Sequence, residues 1–162
     1  MDRCPESSPG TQGSVNIKRG GRMKRLISCL LFLCLFVWAG FAVAQNPEKE
    51  KAAVAAAEAW LSLIDSGRYE QSWEDASEYF RNAITQQQWD QSLKAIRPPL
   101  GQLISREVIS AVYTTTLPGA PDGEYVVIQY QSSFGNKKSA VETVTPMLDQ
   151  DGAWRVSGYF IR

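Results

Sequence analysis

The sequence predicts an α+β domain in which about three N-terminal helices pack on one face of a curved four-stranded antiparallel sheet. Two observations carry this. From Asn46 to Ile96 apolar residues recur at helical spacing, and from Leu103 onward they fall into short β-rich runs broken by turn residues. Helices first and strands afterwards, with no alternation between them, favour a helix layer on an antiparallel sheet over a βαβ arrangement.

The first helix starts at Asn46-Pro47-Glu48, where Asn caps, Pro occupies the first helical position and acidic residues sit in the first turn. Val54, Ala57, Leu61 and Ile64 share one face with Trp60 beside it, and Gly67 ends the helix. The second helix carries Tyr69, Trp73, Ala76 and Phe80 as one continuous stripe. Thr85 and Gln88 form a capping box for a third helix with Trp89, Leu93 and Ile96, and Pro98-Pro99 is expected to stop it.

The four β-rich runs are Leu103 to Leu117, Glu124 to Phe134, Lys138 to Asp149 and Ala153 to Arg162, separated by turns at Pro118-Gly119, Gly135-Asn136 and Asp151-Gly152. Short turns favour an antiparallel meander. Two-residue turns at Gly135-Asn136 and Asp151-Gly152 set a register in which Tyr130 opposes Val141, Ile128 opposes Thr143, Met147 opposes Val156, Thr145 opposes Gly158 and Thr143 opposes Phe160. One face then gathers Val126, Ile128, Tyr130, Val141, Met147, Trp154, Val156 and Phe160, the expected core face.

Ahead of the domain, Leu26 to Ala44 is an apolar run led in by Met23-Lys24-Arg25 and closed by Ala42-Val43-Ala44. A cationic start, an apolar middle and a small-x-small ending make a secretory signal peptide over 23–44, cut between Ala44 and Gln45. The same run is long enough to cross a bilayer uncut, with Lys18, Arg19, Arg22, Lys24 and Arg25 holding the N-terminus inside. Residues 1–22 are polar and rich in Ser, Gly and Pro, and read as a disordered tail or a start set upstream of Met23. The expected product is a single domain over 45–162, exported to the periplasm or secreted, with an inner-membrane-anchored form as the alternative.

Composition excludes several function classes. Six of the 17 basic and two of the 17 acidic residues precede Gln45, which leaves 11 against 15 in the domain. A mildly acidic domain without a basic stripe is a poor partner for nucleic acid. There is no His, and all three cysteines, Cys4, Cys29 and Cys34, precede Gln45. The domain therefore lacks Ser/His or Cys/His nucleophilic machinery, disulfides and the usual metal ligands, and no cofactor or metal is expected.

The phrases Ala57-Glu58-Ala59-Trp60-Leu61, Asp65-Ser66-Gly67-Arg68-Tyr69 and Ser72-Trp73, then Tyr113-Thr114-Thr115, Leu117-Pro118-Gly119, Gly123-Glu124-Tyr125-Val126-Val127, Val141-Glu142-Thr143-Val144 and Gly152-Ala153-Trp154-Arg155-Val156-Ser157-Gly158-Tyr159, cover nearly the whole domain. In these the chain resembles the bacterial family called domain of unknown function 4019. The resemblance implies a short, exported bacterial protein with no assigned activity, and supplies no catalytic residues. The predicted layer is also similar to the cone-shaped fold of nuclear transport factor 2 and its relatives.

Few residues invite chemistry. Asp149-Gln150-Asp151-Gly152 lacks the acid spacing of a calcium loop, whose twelfth position would here be Phe160 instead of Glu, and reads as a hairpin turn. Trp60, Trp73, Trp89 and Trp154 could cage a quaternary ammonium group, but they recur at core periodicity and read as packing. Glu142 is placed by the register on the outer face, exposed and unsuited to act as a base at neutral pH. The remaining reading is a non-catalytic domain that binds a small neutral ligand or a partner protein in the cell envelope. The alternatives are an enzyme with an unrecognised carboxylate site and a membrane-tethered accessory domain.

Two sites follow from the expected register. A pocket floored by Gly158 and lined by Tyr130, Thr143 and Thr145 would suit a small neutral ligand, unless Gly158 only lets the sheet curve. The outer face, expected to gather Tyr125, Val127, Val144, Leu148, Tyr159 and Ile161, would support a homodimer.

Overall fold

The computed structural model describes residues 46–162. The expected tail, the signal segment and the cut between Ala44 and Gln45 lie outside them. Among the described residues four helices precede four strands: α1 Pro47–Asp65, α2 Tyr69–Glu74, α3 Glu78–Ala83, α4 Gln86–Leu100, β1 Leu103–Thr114, β2 Tyr125–Phe134, β3 Ala140–Leu148 and β4 Trp154–Ile161. The strands form one open antiparallel sheet in the order β1-β2-β3-β4, so the α+β class and the meander are as the sequence predicts.

In α1 the Asn46 side chain accepts a hydrogen bond from the Lys49 amide at 3.4 Å. Ala53, Ala57, Trp60, Leu61 and Ile64 are buried on one face. Past its end the Gly67 amide donates to Ile64 O and the Arg68 amide to Leu63 O. This paired closure needs a left-handed residue, and Gly67 supplies it at φ +73°.

The second expected helix is two. Ser77 caps α3 with its hydroxyl, accepting from the Phe80 amide at 3.1 Å. The Ser77 amide meanwhile donates to Val156 O of β4 at 2.9 Å. An amide bonded to the sheet cannot continue a helix, so the chain breaks between Asp75 and Ser77 while Ala76 stays fully buried.

The third expected helix, α4, has its capping box but runs through Pro98 and Pro99 to Leu100. The β2–β3 turn accounts for that tolerance, because it satisfies carbonyls of the last turn. Asn136 donates through its side chain to Pro99 O and through its amide to Leu100 O.

The expected register between β2 and β3 is off by one. Phe134 and Lys137 do exchange hydrogen bonds across the two-residue turn at Gly135-Asn136. The next pair in the ladder is Ser132 with Ala140, so Lys138 and Ser139 stand against Ser133 alone. That extra residue makes Tyr130 oppose Glu142 and Ile128 oppose Val144. Between β3 and β4 the predicted pairs Thr145 with Gly158 and Thr143 with Phe160 are present. An irregularity at Pro146 then pairs Met147 with Arg155 in place of Val156.

A one-residue slip turns every side chain of a strand to the other face. The core side of β3 is therefore Ala140, Glu142, Val144 and Pro146, and Val141, Thr143, Thr145 and Met147 point away from the helices. Val126, Ile128, Tyr130 and Val156 are core residues as expected, with Trp154 packed against them. Phe160, expected in the core, is 61% exposed on the far face. Of the residues expected on the outer face, Val144 and Tyr159 instead belong with the core, and Leu148 and Ile161 share their side of the sheet through the pairs Leu148 with Trp154 and Ile161 with Glu142.

Candidate functional site

The four residues of the predicted pocket do not share one face of the sheet. Tyr130 lies on the helix side, where its hydroxyl is buried without a hydrogen-bond partner among the described residues. Thr143, Thr145 and Gly158 lie on the opposite side, and a Cβ at Gly158 would meet only the Thr145 side chain, at 3.7 Å. The tryptophans of the helices pack as core, with Trp60 and Trp89 centroids 5.9 Å apart and Phe80 edge-on to Trp89 at 5.0 Å. Their indole N–H groups are engaged. Trp60 donates to Ser72 O and Trp89 to Ser72 Oγ.

The slip that dissolves this pocket builds a charged cluster that the sequence reading missed. Glu142 is fully buried between two arginines from different layers. Its Oε2 accepts from Arg106 Nε at 2.7 Å and its Oε1 from Arg106 Nη2 at 3.2 Å, Arg97 Nη1 at 3.4 Å and the Tyr159 hydroxyl at 2.7 Å. Ser132 also donates to Oε2. Asp65, at the end of α1, accepts from Arg106 Nη1 at 2.6 Å and Nη2 at 3.0 Å, and from Arg97. Asp65, Arg97, Glu142 and Arg106 thus form a ring of alternating charge that sums to zero.

Burial acts to raise the Glu142 carboxyl, but the hydrogen bonds and charge of Arg106, with Ser132 and Tyr159, outweigh it and hold the group below its ordinary range. Burial beside that carboxylate pushes the Tyr159 hydroxyl well above its usual value. Burial opposes the charge on Arg106, yet the bonds to Asp65 and Glu142 raise it further. A carboxylate this stabilised is a weak base, and it has no path to solvent. The ring is built for structure and not for proton transfer. One sequence signal could have found it: Arg97 falls on the apolar stripe of α4, four residues after Leu93 and eight after Trp89.

The open site lies elsewhere. A cleft of about 1270 Å³ runs between α1, the α2–α3 segment, the β1–β2 loop and the β3–β4 turn. Trp60 and Trp154 form part of its wall. Its lining carries six carboxylates, Glu74, Asp75, Glu78, Asp122, Asp149 and Asp151, against the two guanidinium groups of Arg81 and Arg155. Both cations are already engaged. Arg155 binds Asp149 at 3.0 Å and Asp151 at 2.7 Å, and Arg81 donates to the carbonyls of Glu74 and Ala76. The Arg155 bonds and the Ala153 amide hold the Asp151 carboxyl down at about 2. The carboxylates of Asp75, Glu78 and Asp122 have no hydrogen-bond or ion-pair partner among the described residues. Among those residues no three carboxylates converge closely enough to hold a metal ion.

A family model described as a protein of unknown function (DUF4019) matches residues 56–159. The chain belongs to this family. The match runs from the middle of α1 to Tyr159, so it takes in both the ring and the cleft of this DUF4019 domain. No curated protein and no solved structure matches the chain.

Proposed function

We propose that this DUF4019 protein is an exported, non-catalytic binding domain of the bacterial cell envelope, and that its cleft holds a positively charged ligand or the basic segment of a partner protein. The observation that carries this reading is the charge of the cleft. Six carboxylates line it, three of them unpaired among the described residues, and both arginines are already spent on neighbouring groups. Such a surface repels anions and concentrates cations. The indole of Trp154, half-buried beside the carboxylates, adds a face on which an ammonium or guanidinium group can rest. A neutral ligand under Gly158 is replaced in this reading, because Tyr130 and the two threonines stand on opposite sides of the sheet.

The non-catalytic part rests on the chemistry of the acids. The buried carboxylate is locked as an anion by two arginines, and the domain has neither His nor Cys to serve as base or nucleophile. Export rests on the signal-like run over 23–44. Tryptophan fluorescence of the purified protein, followed during addition of spermidine, tests the ligand class. A saturable change that fades as salt rises is expected, whereas no change at low salt would overturn the cationic reading. N-terminal sequencing of exported protein is expected to begin at Gln45. A start at Met1 or Met23 would instead favour the tethered form.

A further inference from the structure

The side of the sheet away from the helices is laid out as a grid of side chains. One row runs Ser110, Gln129, Thr143, Phe160 from β1 to β4. The next, by the flanking pairs, runs Val112, Val127, Thr145, Gly158. On the other side of the first row lies Glu107, Gln131, Val141 and then Arg162, which exchanges backbone hydrogen bonds with Val141. Two of the large exposed apolar side chains stand here, Phe160 at 61% and Val112 at 43% exposure. The two central rows contain no charged residue. Glu107 and Arg162 are both exposed, sit at opposite edges of one row and have no ion-pair partner among the described residues.

From this grid we infer that the outer sheet face is a two-fold interface with a second copy of this chain. A two-fold axis parallel to the strands, above the face between β2 and β3, carries β1 of one copy over β4 of the other and leaves each row over itself. Glu107 of one copy then faces the partner's Arg162, and the reciprocal pair forms at the other edge. Phe160, the most exposed side chain of the large apolar residues in these rows, comes over the partner's Ser110. Val112 comes over the partner's Gly158, where the missing side chain leaves a hollow beside Thr145. Large thus meets small and acid meets base at both edges, which is what an isologous contact requires. Aligned sheets pack with their strands about 30° apart. That rotation moves the edge residues by part of a row, within the reach of Glu and Arg side chains. On the helix side α1 and α3 pack against the sheet, whereas among the described residues no helix packs over the two uncharged central rows of this face.

Light scattering on the protein expressed from its full sequence, at tens of micromolar and low salt, is expected to give a dimer. Glu107→Arg and Arg162→Glu should each weaken it by about tenfold or more, since each reversal sets like charges against one another at both edges. The double reversal should restore it. Gly158→Val fills the hollow, meeting only Thr145 within the monomer at ordinary contact distance, and should weaken the dimer without lowering the melting temperature or changing the circular dichroism. A monomeric parent overturns the inference. So does a dimer that withstands both single reversals, or one that the double reversal fails to restore. Spermidine binding in the cleft is not expected to depend on any of these variants, so failure of the interface and failure of the cleft are separately visible.

Discussion

The start of β3 and the turn that follows it handle charge in opposite ways. Near its first residues β3 puts Glu142 into a ring with Asp65, Arg97 and Arg106, where every charge faces an opposite one, Glu142 and Arg97 are buried and Asp65 forms the solvent edge. Past Leu148 the β3–β4 turn borders a cleft in which carboxylates outnumber guanidinium groups and several face open space. A buried charge survives only when it is paired and hydrogen-bonded, so the ring has to be complete to exist at all. An exposed charge costs little to leave unpaired, so the cleft can keep an excess of one sign available for something else. Completeness marks the structural site, and imbalance marks the proposed binding site.

The largest effect should come from breaking the ring. Glu142→Ala leaves the largely buried Arg97 and Arg106 sharing Asp65 alone, and should cost about 3–5 kcal/mol in chemical denaturation. The pH dependence should carry the same signature. Glu142 is held below its ordinary value of 4.5 in the folded protein, so its contribution is fully present above that value and is lost as pH falls through the lower folded one. Stability is therefore expected to be flat with respect to this group near neutral pH and to fall below about 4.5. A variant Glu142→Gln, less stable at pH 7, should lose that part of the acid slope. An unchanged slope would mean that the ring does not govern acid unfolding.

A middle-sized effect is expected where helices meet sheet. Ser77→Ala removes the cap of α3 and should cost about 1 kcal/mol. It leaves the backbone bond from residue 77 to Val156 in place, so the cleft should keep its shape and spermidine its affinity. The smallest stability effects belong to the cleft itself. Asp75→Asn, Glu78→Gln and Asp122→Asn should each stay within about 0.5 kcal/mol of the parent, as surface changes away from packing usually do. If one of them destabilises the fold strongly, the contrast between a closed ring and an open cleft is wrong at that position.

How much of this was legible in the sequence depends on which signals are local. The Asn46-Pro47 start, the Thr85-Gln88 capping box and the glycine after α1 are decided within a few residues, and each is where the sequence placed it. The break at Ser77 was less legible. The stripe from Tyr69 to Phe80 keeps helical spacing across it, and the amide that stops the helix is bonded to Val156, far away in the chain. The face of β3 depended on one residue. Gly135-Asn136 announced its turn correctly, but nothing in Lys138-Ser139 marks the bulge that follows it, and that bulge decides whether Glu142 or Thr143 faces the helices. The pocket at Gly158 and the membership of the outer face were lost with it. Arg97 on an apolar stripe was the one local clue that a buried acid waited opposite.

The cleft escaped the sequence reading for a different reason. Its acids come from α2, α3, the β1–β2 loop and the β3–β4 turn, so no single stretch is acidic enough to notice, and only the fold assembles them. The claim that this assembly is the binding site is tested most directly by one isothermal titration of spermidine, at low salt, into the parent and into the triple variant Asp75→Asn, Glu78→Gln, Asp122→Asn. The parent is expected to bind, and the triple variant to bind at least about tenfold more weakly with its unfolding transition unmoved, because those carboxylates contribute charge and not packing. Equal affinity in the two proteins, or no binding by the parent, would contradict the account.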